Sequence, residues 1–162
     1  MITIRKATKD DTRLILQFIK GIAEYEKLSY EVIADEQVLS TSLFNKCAAE
    51  TLLAFHEGEP AGFCIFFQNF STFVGKPGIY IEDIFVKPEH RNKGVGKALF
   101  RHVAGLAVDR DCGRIEWAVL DWNEDAIGFY RSMGAESMDG WTLYRLDDER
   151  TKRVSLGEND TS

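Results

Sequence analysis

Two adjacent carboxylates, Glu82 and Asp83, interrupt an otherwise apolar run, Ile79-Tyr80-Ile81-Glu82-Asp83-Ile84-Phe85-Val86. The β-branched and aromatic residues around them predict a strand, and strand neighbours point to opposite faces. Both carboxylates therefore cannot face solvent if one side of the sheet is buried. A carboxylate turned into a core or cleft is costly unless it is paired or has a chemical role. Glu82 is thus either a working base or half of a structural ion pair, and Asp83 either joins it or faces the other side of the sheet. A second chemical stretch follows, Arg91-Asn92-Lys93-Gly94-Val95-Gly96-Lys97. A guanidinium suits bidentate phosphate contact, and glycines at a helix start bring unpartnered backbone N–H groups close to a phosphate. The stretch reads as a pyrophosphate cradle, or more plainly as a solvated turn ahead of a helix. It is not a Walker loop, having no Gly-Lys-Ser/Thr, nor a dinucleotide fingerprint, since Leu99 stands at the third glycine position.

The elements that must position these groups follow from pattern and punctuation. Pro88 ends the Glu82 strand, and Ala98, Leu99, Val103, Leu106 and Ala107 recur at helical spacing, which puts Gly94 to Gly96 at a helix N-terminus. Earlier in the chain, Ile2 to Arg5 alternates as a first strand. Thr8-Lys9-Asp10-Asp11 resembles a capping box before a helix to about Glu26, with Ile15, Phe18, Ile19, Ile22 and Tyr25 as its buried stripe. Asp35 caps a short second helix. Thr51 to His56 and Ala61 to Phe70 are antiparallel strands joined by the Glu57-Gly58-Glu59-Pro60 turn. After the long helix, Arg114 to Leu120 predicts a strand. A helix through Ala126, Ile127, Phe129, Tyr130 and Met133 then closes at Gly134. Asp139-Gly140 predicts a tight turn joining strands at Ala135 to Met138 and Trp141 to Leu146. From Asp148 the chain is polar to Ser162 and is expected to fray.

The Arg-x-x-Gly-x-Gly loop behind an Ile-Glu-Asp-Ile-Phe-Val strand resembles the acetyl-CoA loop of the GNAT acetyltransferases, in particular their spermidine/spermine and thialysine branch. The resemblance runs from Ile4-Arg5-Lys6-Ala7-Thr8 to about Asp147 and includes Trp122-Asn123-Glu124 with Phe129-Tyr130-x-x-x-Gly134. It implies an α/β sandwich with a mixed, mostly antiparallel central sheet flanked by helices, one domain over residues 1–147 and a polar tail over 148–162. It also implies acetyl-CoA as acyl donor. The Ile84-Phe85-Val86 backbone would pair with the pantetheine amides, and Arg91, Asn92, Lys93, Gly94, Val95, Gly96 and Lys97 would hold the pyrophosphate. Asn123 would lie near the cofactor and Tyr130 near its sulfur, although an aromatic on an amphipathic helix also suits a core. Tyr25-Glu26 would hold the far amine of a substrate, with Trp141 beside it. Branch members are homodimers, and the same is expected here.

Size and composition agree with such an enzyme. The 162 residues suffice for one core, and 44% hydrophobic with 28% charged residues is a globular composition. A net charge of −6 argues against a nucleic-acid binder and suits a cationic substrate. No apolar run spans a membrane and the Met1-Ile2-Thr3-Ile4 start reads as a strand, so the expected address is the cytoplasm. Cys47, Cys64 and Cys112 are odd in number and dispersed, with His56, His90 and His102 scattered among them, so neither a disulfide framework nor a metal site is expected.

The implied chemistry is acetylation of a primary amine. An amine of pKa about 10.4 is neutral in only about one molecule in 2,500 at pH 7, a deprotonation cost of roughly 4 to 5 kcal/mol, so a base is needed. Glu82 is the candidate, directly or through water, with an apolar strand raising its pKa. Tyr130 is the candidate acid. A tyrosine near pKa 10 is weaker than a thiol near 8.5, which makes full transfer uphill by about 2 kcal/mol and favours a hydrogen bond to the developing thiolate. Carboxylates at Glu26, Asp83 and Asp139 would each balance an ammonium, with cation–π contact from Trp141. The alternatives are acetylation of a protein N-terminus or lysine, and a silent acetyl-CoA-binding regulatory module.

Overall fold

The computed structural model describes residues 1–158 and divides into two compact units, Met1–Asp121 and Trp122 onward. The first carries a five-stranded sheet in sequence order. Its strands are β1 (Ile2–Lys6), β2 (Glu50–His56), β3 (Glu59–Ser71), β4 (Lys76–Val86) and β5 (Ile115–Trp117). Short connections make the β2–β3 and β3–β4 pairings antiparallel, as β1–β2 is too, whereas β4 reaches β5 through a helical crossover and pairs with it in parallel. The expected mixed, mostly antiparallel sheet is therefore present.

Helices cover both faces. Helix α1 (Thr12–Tyr25) follows a 3-10 turn at Lys9–Asp11, where the Asp11 carboxylate accepts the Thr8 backbone N–H at 2.8 Å and a two-pronged contact from Arg5 at 2.8 and 2.9 Å. Helix α2 (Glu36–Ser40) is capped by the Asp35 carboxylate, 2.8 Å from the Val38 N–H, and runs into a π-helical turn at Thr41–Asn45. Ile15 and Phe18 of α1 pack with Leu43, Leu53, Phe63, Ile65 and Phe85 in one core layer, where the Phe18 and Phe63 rings stack at 5.2 Å. Helix α3 (Val95–Asp109) lies on the other face with Leu99 and Val103 fully buried. It closes a small cavity with Leu52 and Phe66, which alternate with the α1-facing Leu53 and Ile65.

The second unit holds α4 (Glu124–Ser132) and α5 (Asp148–Ser155). Gly134 ends α4 as expected, in the left-handed region at φ 88°, with its N–H on the Arg131 carbonyl at 3.0 Å. Three expectations are corrected. The strand predicted over 114–120 is only Ile115–Trp117, because β4 offers it a ladder over Ile79–Ile81 alone. Residues 135–138 and 141–146 flank the expected Asp139-Gly140 turn but form no strands, since alternation makes a strand only where an edge is paired. The polar segment after Asp147 begins as a helix rather than fraying. Asp147 caps α5 at 2.8 Å from the Arg150 N–H, and Asp148–Lys152 and Glu149–Arg153 form i,i+4 pairs. Asn159 to Ser162 of the expected tail lie outside the described residues.

Candidate active site

The acidic strand is irregular at its acidic residues. Phe66 pairs with Ile81 and Ile65 with Asp83, which leaves Glu82 as the extra residue of a β-bulge. The bulge changes which face β4 presents. Ile81 is buried opposite Phe66 on the α3 side, and Asp83, opposite Ile65, belongs to the α1 side. The parallel ladder also stops here, its last pair being Ile81↔Trp117, so from Asp83 to Val86 β4 continues on β3 alone. An opening between β4 and β5 results, with one β4 edge outside the β5 ladder.

Three carboxylates gather at this opening. Glu82 is exposed, while Asp83 is half-buried. Burial is the main cause that pushes the Asp83 carboxyl up to about 6, with the nearby Glu82 and Glu26 charges adding to it. Glu26, the residue that ends α1, is half-buried, and burial raises its pKa as well. The desolvated carboxylate that the strand pattern suggested at Glu82 is thus Asp83. A bulge has no signature in residue type, so the sequence offered no means of assigning the two acids to their environments.

The loop after β4 is shaped as the glycine spacing predicts. A 3-10 turn at Pro88–His90 leads to an extended Arg91, and Asn92 (φ 59°) and Gly94 (φ 85°) are both left-handed. Gly94 is the N-cap of α3. The first helical bond runs from the Ala98 N–H to the Gly94 carbonyl at 3.0 Å, so the N–H groups of Val95, Gly96 and Lys97 precede the helical ladder. Such an array, with the positive end of the helix dipole and the neighbouring Lys93 and Lys97, can hold a pyrophosphate. Arg91 behaves differently from a solvent-facing phosphate ligand. Its Nε donates to the Val86 carbonyl at 3.0 Å, and its guanidinium carbon lies 4.8 Å from the Tyr25 ring centre and 5.7 Å from that of Phe85.

In the second unit, Asn123 is buried and its side-chain oxygen accepts the Ala126 N–H at 3.3 Å, capping α4. Tyr130, half-buried on α4, lies 5.7 Å from Phe129 between ring centres. Asp139 and Trp141 are exposed at and after the turn.

Residues 15–135 match the model of the acetyltransferase (GNAT) family. A thialysine N-epsilon-acetyltransferase of Bos taurus is 36% identical over 168 residues, spanning 95% of this chain and 97% of the bovine protein. The L-ornithine N5-acetyltransferase of Arabidopsis thaliana is 32% identical, over 93% of this chain and 86% of the plant protein. The chain belongs to the GNAT acetyltransferase family. An integron cassette protein from the mobile metagenome of V. cholerae shares the GNAT-like sheet and helices, with a TM-score of 0.78 at 24% identity over 95% of this chain and 97% of its own. As a GNAT protein the chain is an N-acetyltransferase that uses acetyl-CoA as acyl donor. Its residues fit that donor: a strand edge outside the β5 ladder can pair with amides, and the α3 N-terminus can hold phosphates.

Proposed function

We propose that this GNAT enzyme acetylates a primary amine of a small diamine, polyamine or thialysine-like amino acid by direct transfer. The observation that carries the reading is the grouping of Glu26, Glu82 and Asp83 where β4 and β5 part, a concentration of negative charge suited to a di- or polycationic substrate. The named activities of the bovine and plant relatives, on thialysine and ornithine, point to the same amine class.

Bound acetyl-CoA supplies the acetyl group as a thioester. The backbone of Ile84, Phe85 and Val86 would align the pantetheine and the loop from Asn92 to Lys97 would hold the pyrophosphate, and Asn123 is a further candidate cofactor contact. Glu82, exposed on its bulge, takes the ammonium proton directly or through water, so that the amine attacks as a neutral nucleophile. Glu26 and Asp83 balance the substrate's remaining positive charge, and Tyr25, Asp139 and Trp141 complete the substrate contacts. Tyr130 donates a hydrogen bond to the charge that develops on sulfur. We further read the enzyme as a cytoplasmic homodimer that binds neither nucleic acid nor membrane. No helix among the described residues is long and apolar enough to cross a membrane, and the exposed Leu143 and Tyr144 give a second copy apolar surface to cover.

The test is thiol release from acetyl-CoA with spermidine, putrescine, thialysine, ornithine, lysine and a lysine peptide. Saturable release with one small amine is expected, reduced about 100-fold or more in Glu82→Gln with acetyl-CoA binding retained. Release with the peptide alone moves the reading to protein acetylation. Tight acetyl-CoA binding without release moves it to a regulatory module.

A further inference from the structure

Arg91 is the first residue of the pyrophosphate loop, yet its side chain is directed into the molecule. It meets three groups there. Its Nε donates to the Val86 carbonyl at 3.0 Å, at the end of β4. Its guanidinium lies over the Tyr25 ring, 4.8 Å from the centre, and also approaches Phe85 at 5.7 Å. Phe85 in turn sits edge-on to Phe18 at 6.4 Å and directly against α1 at Gly21. A Cβ added to Gly21 would meet the Phe85 ring at 3.0 Å, so the α1 backbone packs closely on this ring. The last turn of α1 is therefore gripped between Phe85 below and Arg91 across its final residue, Tyr25.

The grip matters because of the residue next to Tyr25. Glu26 ends the helix with its N–H on the Ile22 carbonyl at 2.9 Å, and Lys27 is left-handed at φ 61°, so the chain leaves α1 abruptly. The direction of the Glu26 side chain is then set by how firmly the Tyr25 turn is held. A planar guanidinium with one nitrogen on a carbonyl and its face on an aromatic ring is suited to that task, and an ammonium is not, because it can neither stack nor donate from a fixed fork.

We propose that Arg91 is a positioning residue of the amine site: by clamping Tyr25 against the end of β4 it fixes the Glu26 carboxylate, so its loss weakens amine binding more than acetyl-CoA binding. This rests on the reading of Glu26 as a substrate contact. It assigns one side chain of the cofactor loop to the other substrate, and it makes the ordering of the loop and the shape of the acidic opening parts of one packed unit.

Arg91→Lys is the informative variant, since it keeps the charge a phosphate would require and removes the stack and the fork. With acetyl-CoA saturating, Arg91→Lys and Tyr25→Leu are each expected to raise the amine KM by about two- to thirtyfold, the range for losing the stacked guanidinium–ring contact. The kcat should fall far less, and the acetyl-CoA Kd from calorimetry should change by less than the amine KM. Tyr25→Phe, which keeps the ring face, should retain more amine affinity than Tyr25→Leu. The double variant Arg91→Lys/Tyr25→Leu should be little worse than either single one, because both remove the same contact. An Arg91→Lys protein with the wild-type amine KM, or one whose loss falls on the acetyl-CoA Kd, overturns the proposal. Hydrogen exchange at residues 22–28 reads the clamp without any amine. Faster exchange there in Arg91→Lys supports it, and unchanged exchange overturns it. Should the wild-type protein acetylate none of the amines, the substrate reading fails by itself and the exchange result still decides on the clamp.

Discussion

Asp83 and Asp11 titrate in opposite senses, and each gives the folded chain a distinct pH signature. The Asp83 carboxyl is held at about 6 against an unfolded value near 3.9. Its protonated form therefore favours folding: that contribution is full below about pH 4 and is lost as pH rises through 6, leaving a cost of up to about 3 kcal/mol above it. Asp83→Asn should be more stable than the parent by up to that amount at pH 8 and equal to it at pH 4, as measured by urea unfolding. On the proposed role of Asp83 as an ammonium contact, the same substitution should abolish an acidic limb near pH 6 in kcat/KM for the amine. Asp11 is the converse. The Arg5 guanidinium, followed by smaller hydrogen-bond contributions, holds it at about 2, so its stabilisation is present above about pH 4 and lost as pH falls toward 2. The Arg5 side chain is 49% exposed, which screens the pair, and Asp11→Asn should cost about 1 kcal/mol at pH 7 and little at pH 2.

Among the elements, those governed by local chemistry were legible and those governed by distant partners were not. The Asp35 cap, the Thr8–Asp11 turn, the Gly94 helix start and the Gly134 helix end all depend on residues within a few positions, and all stand where their patterns place them. Arg114 to Leu120 had the composition of a long strand, but its length is set by where β4 stops pairing with it. The runs on either side of Asp139-Gly140 had strand alternation without an edge to join. The candidate site divides in the same way. The glycine loop and the acidic pair were visible as residue types, whereas the burial of Asp83 rather than Glu82, and the inward turn of Arg91, depend on register and packing. Two helical glycines have open space where a Cβ would stand, Gly105 inside α3 and Gly128 inside α4, each with nothing within 4 Å. Gly128→Ala should therefore raise stability by up to about 1 kcal/mol in thermal or urea unfolding.

At the scale of the whole molecule, charge organises the encounter with substrate. A net charge of −6, with three acidic groups concentrated at one opening, produces a field that favours cations and disfavours phosphate polymers. The acyl donor is itself polyanionic, and in the proposed arrangement local donors, the α3 N-terminus and the lysines at 93 and 97, would act at short range against that field. The two substrates should consequently respond differently to salt. The KM of a dicationic amine should rise several-fold between low ionic strength and about 0.3 M, where screening shortens to a few ångströms, while the KM of acetyl-CoA changes less. An amine KM indifferent to salt would remove the acidic opening as the attracting feature.

The bulge in β4 bears on how this site tolerates the loss of a residue. Ile81 already sits opposite Phe66 and Asp83 opposite Ile65, so Glu82 is supernumerary to the ladder. Excising it would join the two paired stretches into one regular strand without moving any side chain to the wrong face. A chain of one residue fewer is thus expected to fold as well as the parent, or better, and to be inert. The ladder can dispense with Glu82, and the proposed reaction is what would give it a use.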